Sequence, residues 1–384
     1  KNVFVLEGYI PERNAQALSS ELSQKFEVAV ELEEPSEDDD VPVLLENNGF
    51  SSPLEGTVES YSLPGKGEID PTTMVSLFYY MLFGLMLSDA GYGAIIAIAC
   101  GIGLLKFGKT MEAPMKKTLK MYLFCGLATV FWGIMFGSYF GDVIDVVSKT
   151  FFGKQITIPP LWFFPVKEPM KMMVFSLLIG IVHIFAGLGV KLYTCIKSKD
   201  YKGAIYDVVL WYTLIIGCVV ILLSMKMVQG IFGLNFDIPQ IVVTIFMIVA
   251  AASALGIILT SGRESRNPFK RILKGIYGLY GISGYLSDIL SYSRLLALGL
   301  ATGVIGSVIN TMAAMPGNNI VGVIAFVVIF LFGHSVNLGI NALGAYVHTN
   351  RLSYVEFFGK FYEGGGRKFN PFNTKTKFYK FRED

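Results

Sequence analysis

From Thr72 onward the chain is built of long apolar blocks separated by short polar breaks, at about 72–88, 90–106, 118–141, 170–195, 204–226, 238–261, 275–313 and 320–350. Runs of about 20 apolar residues are long enough to cross a bilayer core. Their recurrence predicts an all-α polytopic membrane protein. Residues 1–70 follow another pattern. Val3–Val5 is strand-like, Gly8 to Pro11 is a turn, Glu12–Phe26 has helical periodicity, and Glu27–Leu32 alternates as a strand does. The acidic run Glu31–Asp40 reads as a solvated loop. The expected division is the end of a larger cytosolic domain plus linker over 1–70, a small α/β remnant. A transmembrane domain over 71–362 and a cytosolic tail over 363–384 follow.

The placement of Lys and Arg sets the topology. The connections 106–120 (Lys106, Lys109, Lys116, Lys117, Lys120), 191–202 (Lys191, Lys197, Lys199, Lys202) and 262–274 (Arg263, Arg266, Lys270, Arg271, Lys274) are basic, as is the tail after 351. The connections 142–169, 226–237 and 314–319 are poorer in these residues. Basic loops stay on the cytoplasmic side. Residues 1–70 share that side only if 72–106 enters the membrane and returns. The pattern therefore predicts a short hairpin turning near Asp89, Gly91 and Gly93, and eight helices in all. The alternative is one tilted helix with an external N-terminal segment. Gly275–Ala313, at about 58 Å, and Ile320–Asn350, at about 46 Å, both exceed a core of roughly 30 Å. Tilt is the expected accommodation.

Composition agrees: 53% of residues are hydrophobic, only 16% charged, and mean hydropathy is +0.53. A soluble chain carries about a quarter charged residues. The net charge of +2, with no basic patch interleaved with aromatics, points away from nucleic acid. The four cysteines (Cys100, Cys125, Cys195, Cys218) form no C-x-x-C pair and read as packing residues. No Walker A sequence, catalytic triad or metal signature occurs, so neither catalysis nor a cofactor is expected of this chain. Uphill ion movement would draw its energy from another subunit or a second ion.

The candidate chemistry lies in the last third. The stretch Tyr285 to Leu300 places Asp288 and Arg294 in the middle of an apolar helix. An arginine at the bilayer centre costs at least about 2.5–3.5 kcal/mol, which usually marks a function or a buried partner. Arg remains protonated, so it cannot carry a transported proton. It can present a fixed cation to a moving carboxylate. Ser287, Ser291 and Arg294 share a helix face, whereas Asp288, six residues from Arg294, points elsewhere. Asp288 is free to pair with a neighbouring helix or to accept from Ser291 or Tyr292. For Arg294 the plainer reading is a buried ion pair that fixes helix packing.

On the final helix His334, Asn337, Asn341, Gly344, His348 and Arg351 step by 3, 4, 3, 4, 3, which reads as one polar or small face. Such a face in lipid must meet protein or water. It lines an aqueous half-channel, or it serves interhelical hydrogen bonding. Arg351, near the cytoplasmic end, also satisfies the positive-inside rule by itself. His183, alone in an apolar helix, reads as a packing residue. Asp89-x-Gly-Tyr-Gly93 lacks the strand-to-helix context of a nucleotide loop.

Four stretches resemble the membrane-embedded stator subunit of rotary V/A-type ATPases, called subunit I in prokaryotes and subunit a in eukaryotes. They are Gly8–Glu12, Glu68–Thr72 with Phe83–Gly93, Leu286–Ala301, and His348–Tyr362. The likeness covers essentially the whole chain and matches the C-terminal part of that family. It implies that Arg294 is the principal stator arginine and Arg351 the second. Both would face carboxylates on a rotating proteolipid ring. Two offset half-channels would give access from the two sides, with His348, Asp288, Ser291, Asn341 and Asn337 on the ion's route. It further implies peripheral-stalk partners, an indirect link to the ATPase head, contact with lipid, and a prokaryotic plasma membrane. The eukaryotic members carry an acidic residue fourteen positions before the arginine. Here that position is Tyr280, which leaves Asp288 as the substitute on the outer path. The competing readings are a stand-alone secondary transporter, with Asp288 and Arg294 as its coupling site, and a structural scaffold.

Overall fold

A computed structural model describes residues 4–36, 39–233, 237–262 and 268–372. Arg263 and Arg266 of the third basic connection, residues 1–3 with Val3 of the first expected strand, part of the acidic run and the tail beyond 372 lie outside the described residues. The first helix, α1 (Glu12–Lys25), forms where the periodicity predicts it. The flanking segments 4–10 and 27–36 form no strand, which corrects the expected α/β remnant. A strand needs a neighbour to satisfy its backbone groups, and the described residues place none beside these segments. A 3₁₀ turn (Ser52–Leu54) and α2 (Glu55–Tyr61) lead to the membrane part.

The membrane part begins with α3 (Thr72–Leu87), α4 (Ala90–Phe107), α5 (Ala113–Phe136), the short α6 (Val143–Phe152) and α7 (Pro169–Lys197). Next, α8 (Tyr201–Gly203) passes through a π-helical stretch, Ala204–Val209, into α9 (Leu210–Ser224). The chain continues with α10 (Lys226–Phe232), α11 (Gln240–Thr260), α12 (Pro268–Ser291), α13 (Ser293–Ala314) and α14 (Ile320–Arg351). Beyond α14 a π-helical turn, Leu352–Phe357, and a 3₁₀ turn, Phe358–Lys360, extend the same rod. Among the described residues seven helical spans are long and apolar enough to cross a membrane, and α3 is a shorter apolar helix. The chain is an all-α polytopic membrane protein.

The hairpin at 72–106 is present. Tyr80 packs on Phe124 and Gly84 on Ala128, so α3 runs parallel to α5. Ala90 meets Gly133, Gly93 meets Val130 and Ala97 meets Gly126, so α4 runs antiparallel to it. Hence α3 and α4 oppose each other. Ser88 turns the chain in the left-handed region (φ 39°) and Asp89 caps α4. The 16 residues of α3 reach only about 24 Å. That length suffices because α3 is enclosed by protein: Tyr79, Leu82, Phe83, Leu85, Met86 and Leu87 are all buried. It is apolar on every side, as a helix at the centre of a bundle must be.

The segment before the membrane part meets the stretch that follows the last helix. Glu68 accepts from the backbone N–H groups of Glu363 (2.9 Å) and Gly364 (3.1 Å), and Leu63 bridges Gly366. Lys117, at the start of α5, forms an ion pair with Glu55. The N-terminal segment, the 107–112 connection and the tail thus share one side, as the basic loops require.

Candidate functional site

The long apolar block expected over 275–313 is not one smooth helix. It breaks at Tyr292, where the N–H groups of Tyr292 and Leu295 bond three residues back, to Ile289 and Tyr292. Arg294 stands in the first turn after this break. Its side chain is 22% exposed, and its Nη2 lies 3.9 Å from Oε1 of Glu356, which is 1% exposed. A saturated Arg–carboxylate pair closes to about 2.7–2.9 Å, often through two bonds, and 3.9 Å is no hydrogen bond. Both Nη1 of Arg294 and Oε2 of Glu356 are buried without a hydrogen-bond partner. The cation is held near a counter-charge without being consumed by it.

Glu356 escaped the sequence reading because it falls one residue out of register. The next step of the polar stripe after Arg351 would be Val355. The π-helical turn over Leu352–Phe357 adds a residue to the turn and brings Glu356 to the buried side, with Lys360 one turn further. The polar pair Glu356 and Lys360, four apart just past the stripe, was the available signal.

The stripe itself divides. His334, Asn337 and Asn341 are buried, Gly344 and His348 are half-buried, and Arg351 is exposed. A 3–4 alternation averages 3.4 residues per step against 3.6 per turn, so the stripe rotates by about 100° over its length. The expectation of a single continuous face fails for this reason. The buried line instead runs His334, Asn337, Asn341, Ala345, Thr349, Leu352.

The buried half carries a directional hydrogen-bond chain. Asn341 Nδ2 donates to Asn337 Oδ1 (2.5 Å), and Asn337 Nδ2 donates to the Tyr92 hydroxyl (2.7 Å). That hydroxyl meets His334 Nδ1 (2.5 Å), and His334 Nε2 meets Asn310 Oδ1 (2.9 Å). Asn310 Nδ2 donates to Asp142 Oδ1 (3.0 Å) and to the Phe140 carbonyl (2.7 Å). Assigning the His334 proton to Nε2 makes every donor point toward Asp142. The chain joins α4, α13 and α14, so these residues serve interhelical bonding. At its end Asp142 opens on a cavity of about 250 Å³ shared with Asp145, Ser88, Ser138, Ser307 and Lys167.

Asp288 does not approach Arg294. It pairs with Lys360, whose ammonium also lies 4.2 Å from the Tyr285 ring. On the chain Asp288 stands between Arg294 and the third basic connection. Tyr280 is 71% exposed. Ser291 bonds back to the Ser287 carbonyl (3.0 Å) and lies beside the Glu356 carboxylate. His348 stands within electrostatic reach of both Arg294 and Arg351. His183 is buried, with Nδ1 2.7 Å from the Tyr292 hydroxyl.

Asp89-x-Gly-Tyr-Gly93 proves structural. The buried Asp89 carboxylate accepts from the N–H groups of Gly91 (2.9 Å), Tyr92 (3.1 Å), Phe140 (3.0 Å) and Gly141 (2.8 Å), and from the Ser138 hydroxyl (2.6 Å). A Cβ on Gly91 would lie 2.5 Å from the Phe140 ring, and one on Gly93 2.6 Å from the Val130 nitrogen. The motif welds the hairpin tip to the turn after α5.

Comparison with known proteins places these features in a family. The V-type ATPase 116kDa subunit family matches residues 1–157 and 279–374, which hold the hairpin, Arg294, Arg351 and Glu356. The A-type ATP synthase subunit I of Methanocaldococcus jannaschii is 33% identical, over 98% of this chain and 56% of its own length. That of Thermococcus kodakarensis is 34% identical, over 97% and 54%. The V-type ATP synthase subunit I of Borreliella burgdorferi is 26% identical, over 96% and 60%. The chain spans little more than half the length of these relatives. With more than half of its residues matched, and its arginine-bearing helices among them, the chain belongs to the V-type ATPase 116kDa subunit family.

Proposed function

We propose that this chain is the ion-translocating stator of a rotary V/A-type ATPase in a prokaryotic plasma membrane, and that ATP is hydrolysed or made on other subunits. The observation that carries this reading is the state of Arg294: a permanent cation at a helix break in an apolar span, 22% exposed, with its counter-ion 3.9 Å away. A cation so placed has capacity left for a second carboxylate. A rotating proteolipid ring supplies one on each subunit. As a ring carboxylate approaches, the arginine favours its ionised form and so releases the bound ion. The same fixed charge opposes leak of free cations along the interface. Arg351, exposed on α14, acts as the second cation, with His348 between them.

The two routes follow from the polar groups. The outer route begins in the cavity at Asp142 and Asp145 and follows the line His334, Asn337, Asn341 along α14. Amides do not relay protons, so these groups act by offering polar contacts to water and ion. The inner route passes Ser291, Glu356 and the Asp288–Lys360 pair. Partners in this reading are the proteolipid ring, the peripheral stalks, the ATPase head at a distance, and lipid.

The test is ATP-driven ion uptake by the assembled complex in vesicles, for wild type, Arg294→Lys and Arg294→Ala. Arg294→Ala is expected to abolish uptake. Arg294→Lys should retain little, because a compact ammonium does not reproduce the planar fork. Full uptake with Arg294→Ala would overturn the reading.

A further inference from the structure

Behind Arg294 and Glu356 lies a third group that touches the backbone segments carrying both. His183 is buried on α7. Its Nδ1 is 2.7 Å from the hydroxyl of Tyr292, the single residue at which α12 gives way to α13. Its ring stacks on Phe357, with centroids 4.6 Å apart and planes at 14°. Phe357 follows Glu356 in the π-helical turn, and Tyr292 precedes Arg294 by two residues. A closed circuit results: Arg294 to Glu356 across space, Glu356 to Phe357 along the chain, Phe357 to His183 by stacking, His183 to Tyr292 by hydrogen bond, and Tyr292 back to Arg294 along the chain.

The face of α7 is cut to fit this circuit. Gly180 and Gly187, one turn either side of His183, stand against its two partners. A Cβ on Gly180 would lie 2.5 Å from the Tyr292 ring, and one on Gly187 3.3 Å from the Phe357 ring. Phe78 closes the other side, 4.3 Å from the imidazole. Tyr292 and Phe357 are fully buried. Both irregularities of the rods, the break at Tyr292 and the π-helical turn at Phe357, are thus pinned by the same imidazole.

We propose that His183 is a positioning residue which, through Tyr292 and Phe357, sets the separation of Arg294 from Glu356 and so the reach of the stator arginine. The proposal rests on the reading of Arg294 given above. The Arg294–Glu356 gap makes no hydrogen bond of its own to fix it. Ser291 beside the Glu356 carboxylate is one link between the two segments, and the brace on α7, which touches the break itself and the π-helical turn, is a second. A loss of the Tyr292 bond frees the break to relax. The guanidinium then closes on Glu356 or swings out, and in either case it is misplaced for a ring carboxylate.

The test uses the assembled complex in vesicles and reads ions moved per ATP hydrolysed, beside the amount of subunit retained in the complex. Tyr292→Phe keeps the ring against Gly180 and removes the hydroxyl. His183→Phe keeps the stacking and removes Nδ1. His183→Asn gives up the stacking but places an amide near the position of Nδ1. Each Phe variant is expected to lower ions per ATP about tenfold, since misplacement of a working group by about 1 Å costs on that scale or more. The subunit should stay in the complex at wild-type amount, the double Phe variant should be no worse than either single one, and His183→Asn should recover most of the coupling. Wild-type coupling in both Phe variants, with Arg294→Ala uncoupled, overturns the proposal and leaves the stator reading standing. Wild-type coupling in Arg294→Ala overturns the stator reading itself. Loss of the subunit from the complex in both Phe variants, with His183→Asn no better, also overturns the proposal, since it assigns His183 to packing alone.

Discussion

Arg294 and Glu356 face each other across 3.9 Å, near enough to attract and too far to hydrogen-bond. Glu356 is the more deeply buried of the two, so the pair is unequal. Removing the carboxylate leaves a buried cation without compensation, whereas removing the arginine leaves a carboxylate that can take up a proton. Glu356→Ala is therefore expected to lower stability by on the order of 2–3 kcal/mol, somewhat under the full penalty for breaking a buried pair because the arginine is partly solvated. Glu356→Gln, which keeps an acceptor for Arg294, should lose less. Thermal unfolding of the detergent-solubilised chain checks the order. A Glu356→Gln protein as stable as wild type would mean that the charge on Glu356 contributes nothing to the pair, and equal losses in the two variants that a neutral acceptor contributes nothing.

Asp89 gathers five donors on one buried carboxylate, from α4, the turn after α5 and Ser138. Asp89→Ala strands several of them at once, and each buried orphan costs about 1–3 kcal/mol. A loss of at least about 3 kcal/mol is expected, more than for Glu356→Ala. Asp89→Asn keeps an acceptor oxygen but swaps the other for a donor, so it should fall between. The melting temperatures of the three variants test this. An Asp89→Ala protein as stable as wild type would mean the hairpin tip is held by packing alone.

Much of this architecture was legible in the chain, and the exceptions have physical causes. The hairpin followed from charge parity, because the sidedness of Lys and Arg is a long-range constraint that single helices obey. The same counting put residues 1–70, the 106–120 connection and the tail on one side, where Glu55 meets Lys117 and Glu68 meets the tail. The break at Tyr292 was not legible: no Pro or Gly marks it, and the side chain at the break bonds a histidine 109 residues away. Glu356 was hidden by a π-helical turn, which shifts register without a sequence signature. The stripe from His334 to Arg351 was visible but was extended too far, since a 3.4-residue repeat drifts around a 3.6-residue helix. The described residues 4–5 and 27–32 of the two expected strands are not strands, because alternation describes one face of a pair, and no second strand lies beside them among the described residues.

Glu68 ties the segment before the membrane to the end of the last rod. Its carboxylate accepts from Gly65 (2.6 Å), Glu363 (2.9 Å) and Gly364 (3.1 Å), while Tyr61 stacks on Tyr354 at 5.2 Å. Glu68→Ala should cost about 1–2 kcal/mol locally, because the freed N–H groups lie close to water. The expected readout is faster cleavage of the 363–372 stretch under limited proteolysis, with the membrane helices unaffected. A cleavage rate equal to wild type would show that the aromatic stack alone holds the tail.

The outer route is open to a direct test at Asp142. This carboxylate receives the last bond of the chain from Asn341 and faces the cavity with Asp145. On the proposed outer route an entering cation meets it before it meets Arg294. Asp142→Asn preserves an oxygen for Asn310 and removes only the charge. Focusing of cations by an acidic cleft raises their arrival rate by tenfold or more, so uptake by the assembled complex should fall by about threefold to tenfold, most steeply at low ionic strength. Tyr280→Phe, at the position where eukaryotic relatives carry their acid, should change nothing, since that side chain is exposed and takes no part in the chain of bonds. The reverse pattern, Tyr280→Phe impaired and Asp142→Asn silent at every salt concentration, would move the outer route off this cavity and onto the exposed side of α12.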